Sequence, residues 1–233
     1  MKTNINIGRR QFLHHTSCGL GMAALAPSLG RLSALAAEGT AQGVFRDRAA
    51  LERLITQMEA DGPLYLSIPR PDGHFLSLLV RASQAKRVLE IGTSHGYTAI
   101  WISTGLEETG GQLTTLEILS DRVEMARKHV GLAGLAHRVT FQEGDAHQFV
   151  ATLDGPFDFV FLNADKGGGV DYFQKLFPKK LSPGALLVAY GAIKSKEKMK
   201  DYLDLVTNHA AWETVVLSCT MDDGFAVSGR RRT

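Results

Sequence analysis

From residue 37 onward the apolar residues switch back and forth between two periodicities, and this alternation constrains the fold more than any other feature of the chain. Runs with the character of buried strands are expected at 86–91 (Lys-Arg-Val-Leu-Glu-Ile), 112–117, 138–142, 157–162 and 185–189. Between them, apolar residues recur at helical spacing over 97–104, 120–132, 146–153, 170–177 and 194–208. Strands separated by helices pair in parallel through right-handed crossovers. The expected architecture is therefore a doubly wound α/β sheet with helices on both faces. The tail breaks the pattern. Residues 214–218 and 225–228 read as strands joined through Asp222-Asp223-Gly224, with no helix between them, so the last strand must run antiparallel to its neighbour. Ahead of the sheet, Leu51, Leu54, Ile55 and Met58 give a helix over 44–60 that stops at Asp61-Gly62-Pro63. A loop over 67–72 and a second helix over 73–84 follow. A chain of 233 residues can bury one sizeable core of this kind.

Residues 1–36 stand apart from the alternation. They hold Lys2, Arg9, Arg10 and Arg31 and no acid. A basic stretch is followed by a weakly apolar one, Gly19-Leu20-Gly21-Met22-Ala23-Ala24-Leu25-Ala26, and then by Ala34-Leu35-Ala36, the layout of an export signal with its cleavage site before Ala37. Gly8-Arg9-Arg10-Gln11-Phe12-Leu13 resembles the twin-arginine (Tat) consensus, which implies the Tat machinery as partner and a periplasmic or exported protein. The alternative is an uncleaved signal acting as a membrane tether. The whole chain has 26 basic and 24 acidic residues, so beyond residue 36 the balance is 22 against 24, a net of −2. A nucleic-acid binder is expected to lean the other way. Only Cys219 remains once Cys18 is removed, so no intramolecular disulfide can form in the mature chain.

The most informative site is the first strand-to-helix turn, Glu90-Ile91-Gly92-Thr93-Ser94-His95-Gly96-Tyr97-Thr98. A doubly wound sheet binds its nucleotide there. The spacing is G-x-x-x-G, without the glycine at position 94 that would let a pyrophosphate approach the backbone, which disfavours a nicotinamide-dependent oxidoreductase. An adenosine without phosphates fits better. Glu117, closing the next strand, suits a ribose diol, and Glu143-Gly144-Asp145-Ala146 at the third strand end suits an adenine edge.

These residues, with Asn163-Ala164-Asp165-Lys166 and the ending Asp223-Gly224-Phe225-Ala226-Val227, resemble the S-adenosylmethionine (SAM)-dependent O-methyltransferases of the catechol and caffeoyl-CoA type. The resemblance runs from about Ser67 to Arg231. It implies a Rossmann-like class I methyltransferase, a seven-stranded, mostly parallel sheet with the last strand antiparallel. The corresponding division of the chain is an export signal (1–36), a lead helix with a cofactor-closing loop (37–72) and the methyltransferase domain (73–233). It implies SAM as cofactor, with Glu90, Gly92, Ser94 and Thr98 at its methionine end, Glu117 on the ribose, and Asp145, Ala146 and His147 on the adenine. Ile68, in the closing loop, and Asn163 complete the cofactor set. Lys166 matches the family's catalytic lysine, and Asp165 and Tyr172 fall on the acceptor side. By analogy alone, a homodimer and a small phenolic acceptor are implied.

The departures from the family concern its divalent metal. Its members hold that ion with an Asp after strand four and an Asp-Asn pair after strand five; here those positions are Asn163, Tyr190 and Gly191. A hard cation wants several oxygens with carboxylates among them. A metal-independent enzyme is therefore expected, in which Lys166 and Tyr190 are the catalytic candidates and His74 and His95 secondary bases. The same losses leave open a non-catalytic SAM-binding relative. Gly167-Gly168-Gly169 reads as a mobile loop altering the acceptor pocket, the four lysines of 194–200 as one solvated helical face, and Arg230-Arg231-Arg232 as an exposed basic end.

Overall fold

The computed structural model describes residues 48–60, 68–219 and 223–232. The expected export signal at 1–36, the start of the lead helix, Ser67 and Asp222 lie outside them. Seven helices and seven strands follow one another: α1 (Arg48–Ala60), α2 (Arg70–Ala82), β1 (Arg87–Ile91), α3 (Tyr97–Thr109), β2 (Gln112–Glu117), α4 (Ser120–Leu132), β3 (Val139–Glu143), α5 (Ala146–Thr152), β4 (Phe157–Leu162), α6 (Gly169–Leu176), β5 (Leu181–Tyr190), α7 (Lys200–Asn208), β6 (Trp212–Leu217) and β7 (Phe225–Arg230). The strands form one sheet in the order β3-β2-β1-β4-β5-β7-β6. All pairs are parallel except those of β7, which is antiparallel to both β5 and β6. The doubly wound sheet with an antiparallel last strand is thus present as expected.

Alternate residues of the central strands feed opposite cores. Val88, Phe159, Phe161 and Val188 pack with Leu76, Ile100 and Ile55 of α1–α3 on one face. Leu89, Ile91, Val160 and Leu187 pack with Val150, Phe173 and Tyr202 of α5–α7 on the other. Each fully buried aliphatic side chain in such a core contributes roughly 1.5–3 kcal/mol. The lead helix α1 adds Leu51 and Ile55 to the first core. It is also tied down by charge: Arg70 donates to both carboxylate oxygens of Glu59 (2.9 and 2.6 Å), to Glu52 (3.0 Å) and to the Thr56 hydroxyl (3.0 Å). Tyr97 donates to the same Glu59 at 2.6 Å.

Four local expectations need correcting. The loop expected over 67–72 is already helix from Arg70, because Pro71 lies in the first turn, where its missing N–H is not needed. Strand β5 begins at Leu181, four residues before the expected start, since Pro183 and Gly184 are carried inside the strand. The helix expected from residue 194 begins only at Lys200. The amides of Ile193 and Lys194 instead bond the Asp223 carbonyl (2.8 and 3.2 Å), which holds 192–199 as turns. Finally, Arg230 belongs to β7 and donates to the carbonyls of Pro178 and Leu181, so the basic end is not free throughout.

Candidate active site

The C-terminal ends of β1, β2, β3 and β4 open on one cavity of about 490 Å³, the size of a pocket for a nucleoside-bearing ligand. Gly92, Ser94, Thr98, Glu117, Asp145, Ala146, His147, Asn163, Asp165 and Tyr172 all line it. Four expected site residues do not. Ile68 is buried in the first core, and Glu90 is wholly buried behind the cavity wall. Lys166 and Tyr190 line a smaller cavity next door, which shares Ala164, Asp165 and Tyr172 with the large one.

The wall is built from the β1–α3 turn outward. Gly92 has φ +98°, and a Cβ there would stand 2.5 Å from the Asn163 carbonyl oxygen. Only glycine lets the end of β1 lie so close to the end of β4. Glu117 is 7% exposed and anchored from the backbone. It accepts from the amide of Ser94 (2.8 Å) through Oε2, and from Ile118 and Leu119 (3.1 and 3.2 Å) through Oε1. A carboxylate offers about four acceptor positions, so capacity remains on the cavity side. Behind this layer the Glu90 carboxylate accepts from the Thr98 hydroxyl and from Thr115 (2.6 Å). Burial, opposed by these hydrogen bonds, pushes its pKa up to about 7.

On the third strand end Asp145 caps α5, accepting from the His147 amide at 2.8 Å. The His147 imidazole stacks on the Tyr172 ring with centroids 4.3 Å apart. Its Nδ1 bonds Asp171 at 2.5 Å and its Nε2 faces Asp165 at 3.4 Å. The Asp171 bond, and then the Asp165 charge, raise the His147 pKa. Tyr172 donates to Asp165 at 2.7 Å. Of the glycine run expected as a mobile loop, Gly167 is exposed with open space around it, whereas the other two are packed: a Cβ at Gly168 would stand 2.3 Å from Asp165 Oδ2, and one at Gly169 would meet the Tyr202 ring at 2.8 Å. These two glycines permit close approach.

The second group of expected residues sits at the ends of β4 and β5. Lys166 Nζ donates to Asn163 Oδ1 (3.0 Å) and to the Tyr190 carbonyl (2.8 Å). Burial pulls its pKa down to about 8, against the pull of Asp223 and Asp165. The Tyr190 ring is buried against Phe225, with centroids 5.0 Å apart. Burial and the carboxylates of Asp223 and Asp72 hold its phenol far above the usual value. The oxygens around these positions are already engaged. Asn163 and the Tyr190 carbonyl are taken by an ammonium, Gly191 brings no side chain, and Asp165 is engaged by Tyr172. Among the described residues no group of three or more His, Cys, Asp or Glu is placed to hold a metal.

Several cavity residues were not singled out from sequence. Ile118 is 63% exposed yet forms part of the wall, as do Arg122 and Tyr97. An isoleucine directly after a strand-ending acid, with no strand left to bury it, was the readable signal. Of the two secondary histidines, His95 lines the cavity, whereas His74 lies on α2 over the Trp101 ring.

Residues 42–199 match the family model described as O-methyltransferase. The chain belongs to that family. It is an enzyme of the methyl-transferring class. It is 37% identical over 155 residues to the catechol O-methyltransferase of Niastella koreensis, a match covering 64% of this chain and 68% of that protein. Several plant relatives named caffeoyl-CoA O-methyltransferase are spanned over about half their length. Among solved structures, the O-methyltransferase of Bacillus cereus in complex with SAH superposes with a TM-score of 0.71 at 25% identity, over 81% of this chain and 93% of that one. The O-methyltransferase TomG of Streptomyces achromogenes, in complex with SAM, gives 0.69 at 27% identity, over 81% and 92%.

Proposed function

We propose that this O-methyltransferase moves a methyl group from SAM to an oxygen of a small phenolic acceptor, without a divalent metal. The observation that carries the reading is the convergence of four strand ends on the 490 Å³ cavity, with a backbone-anchored carboxylate, Glu117, on its wall and a part-buried lysine in the adjoining cavity. SAM bound there supplies a methyl group on a sulfonium, an electrophile that needs alignment more than activation. Glu117 faces the ribose hydroxyls. Ile118 and the α5 N-terminus, capped by Asp145, border the adenine, and the Gly92–Thr98 turn borders the methionine end, with Glu90 and Thr115 holding Thr98 from behind. The acceptor enters from the side of Asp165, Tyr172 and Asn163.

As the O–C bond forms and the S–C bond breaks, the S–C electron pair leaves with the thioether product and the acceptor's proton passes to solvent water. A phenol with a pKa near that of tyrosine, about 10, is mostly protonated at neutral pH. Lys166 supplies the positive charge that makes its loss easier. Titration of the purified protein with SAM and S-adenosylhomocysteine (SAH), first with EDTA and then with Mg²⁺, tests the reading. Micromolar binding unaffected by metal, followed by methylation of a phenol in EDTA, is the expected result. Methyl transfer only with Mg²⁺ would refute the metal-free part. No binding in either buffer would refute the cofactor assignment.

We further propose that residues 1–36 direct export by the twin-arginine route, on the strength of Arg9-Arg10 and Ala34-Leu35-Ala36. A reporter fused to these residues should reach the periplasm, and the double substitution Arg9→Lys/Arg10→Lys should retain it in the cytoplasm. Equal export of both fusions would count against the route.

A further inference from the structure

The β4 and β5 ends close around a cation that is part of the chain. The Lys166 ammonium has three N–H groups; one goes to Asn163 Oδ1 at 3.0 Å and one to the Tyr190 carbonyl at 2.8 Å. The third position of the cage is Gly191, where a Cβ would stand 3.1 Å from Lys166 Cε and 3.3 Å from Nζ. The absent side chain is what leaves room for the lysine. The Tyr190 ring lies 5.8 Å from Nζ, a further weak attraction. All direct partners are neutral oxygens. Asp223 and Asp165 act on Lys166 only as charges at a distance, so the cage orders the ammonium without cancelling its charge.

We propose that this caged ammonium is the enzyme's resident cation, taking the oxygens a divalent ion would need and thereby excluding such an ion from the site. The inference rests on the metal-free reading of the function and gives it a physical agent. Asn163, Tyr190 and Gly191 act on it as positioning residues. Asn163 provides an oxygen without a charge to neutralise, the β5 backbone provides the second, and Gly191 provides the space. Lys166 itself lines the smaller cavity, which shares Ala164, Asp165 and Tyr172 with the larger one.

The test is Mn²⁺ binding followed by electron paramagnetic resonance on the full chain in three forms: wild type, Asn163→Asp, and Asn163→Asp/Lys166→Met. A thermal melt of each form reports folding, and SAH titration of the wild type in EDTA reports an intact cofactor pocket. Wild type is expected to bind no Mn²⁺ in the millimolar range, and the double variant at least tenfold more tightly than Asn163→Asp alone. Mn²⁺ binding by wild type would overturn the proposal, as would equal affinities of the single and double variants. It would also fall if neither variant bound the ion, because the cage would then not be a cation site. SAH binding retained by wild type alongside any of these failures leaves the cofactor reading standing. Loss of SAH binding by wild type would sink that reading separately.

Discussion

The two halves of the sheet's C-terminal edge solve opposite problems. At β1, β2 and β3 the ligand-facing charge is negative, and it is fixed by the backbone. Glu117 takes three amide N–H groups from its own loop and the β1–α3 turn. At β4 and β5 the charge is positive, and it is fixed by acceptors brought from two strands, Asn163 Oδ1 and the Tyr190 carbonyl. Amide donors suit an anion and bare oxygens suit a cation, so each charge is held by neutral dipoles of the right sign. Neither side relies on a direct ion pair. A neutral cage preorganises a charge while leaving its field available to a ligand.

The comparison can be broken most visibly at Lys166. With the phenol found by screening, Lys166→Met should lower kcat on the order of a hundredfold to a thousandfold and leave the SAH dissociation constant within about threefold, the two sides being separate dipole cages. A parallel loss of SAH affinity would show that they are one unit.

The converse change is Glu117→Gln. Exchanging the carboxylate for an amide places an N–H against the backbone donors of the loop and removes charge-assisted bonds worth about 1.5–3 kcal/mol each. Calorimetry should report SAH binding weakened on the order of a hundredfold. Unchanged affinity would remove Glu117 from the cofactor site.

Glu90 sharpens the contrast, being the acid that the cofactor side buries without any amide donor among its hydrogen bonds. Its folded pKa is raised from 4.5 to about 7, so between those values the folded state holds a proton that the unfolded state has released. Its stabilising contribution is complete below pH 4.5 and is lost as pH rises through 7. Urea unfolding at pH 5 and 7.5 should show Glu90→Gln removing about 2 kcal/mol of this decline. An unaltered pH slope would mean that the carboxyl is not held as the structure has it.

The smallest effect is expected outside both cages. Arg70→Ala breaks the part-exposed bridges to Glu59 and Glu52 that tie α1 to α2. It should cost about 1 kcal/mol of stability and leave SAH binding unchanged. A clear loss of affinity would make the Arg70–Glu59–Tyr97 tie part of the cofactor side.

The sequence determined the sheet, its antiparallel last strand and most of the residues that line the large cavity, because these depend on local relations. The apolar alternation assigns strands to faces, Gly92 marks the turn, and Glu117 lies at a strand end whose own loop supplies two of its three donors. A pattern of a few consecutive residues carries all of that. Local reading failed where a partner came from far along the chain. Residues 194–199 look helical until the Asp223 carbonyl captures the amides of Ile193 and Lys194. Within the glycine run, Gly168 and Gly169 look mobile until Asp165 and Tyr202 are packed against them. The acceptor side shows the same limit. The loss of carboxylates at 163 and 190–191 was legible, but the fate of the vacated space was not. Only the tertiary structure, by setting the end of β5 beside the end of β4, places the Tyr190 carbonyl and the bare Cα of Gly191 around Lys166. A part-buried ammonium must find oxygens, and here the nearer of the two, the Tyr190 carbonyl, lies on a strand 24 residues further along the chain.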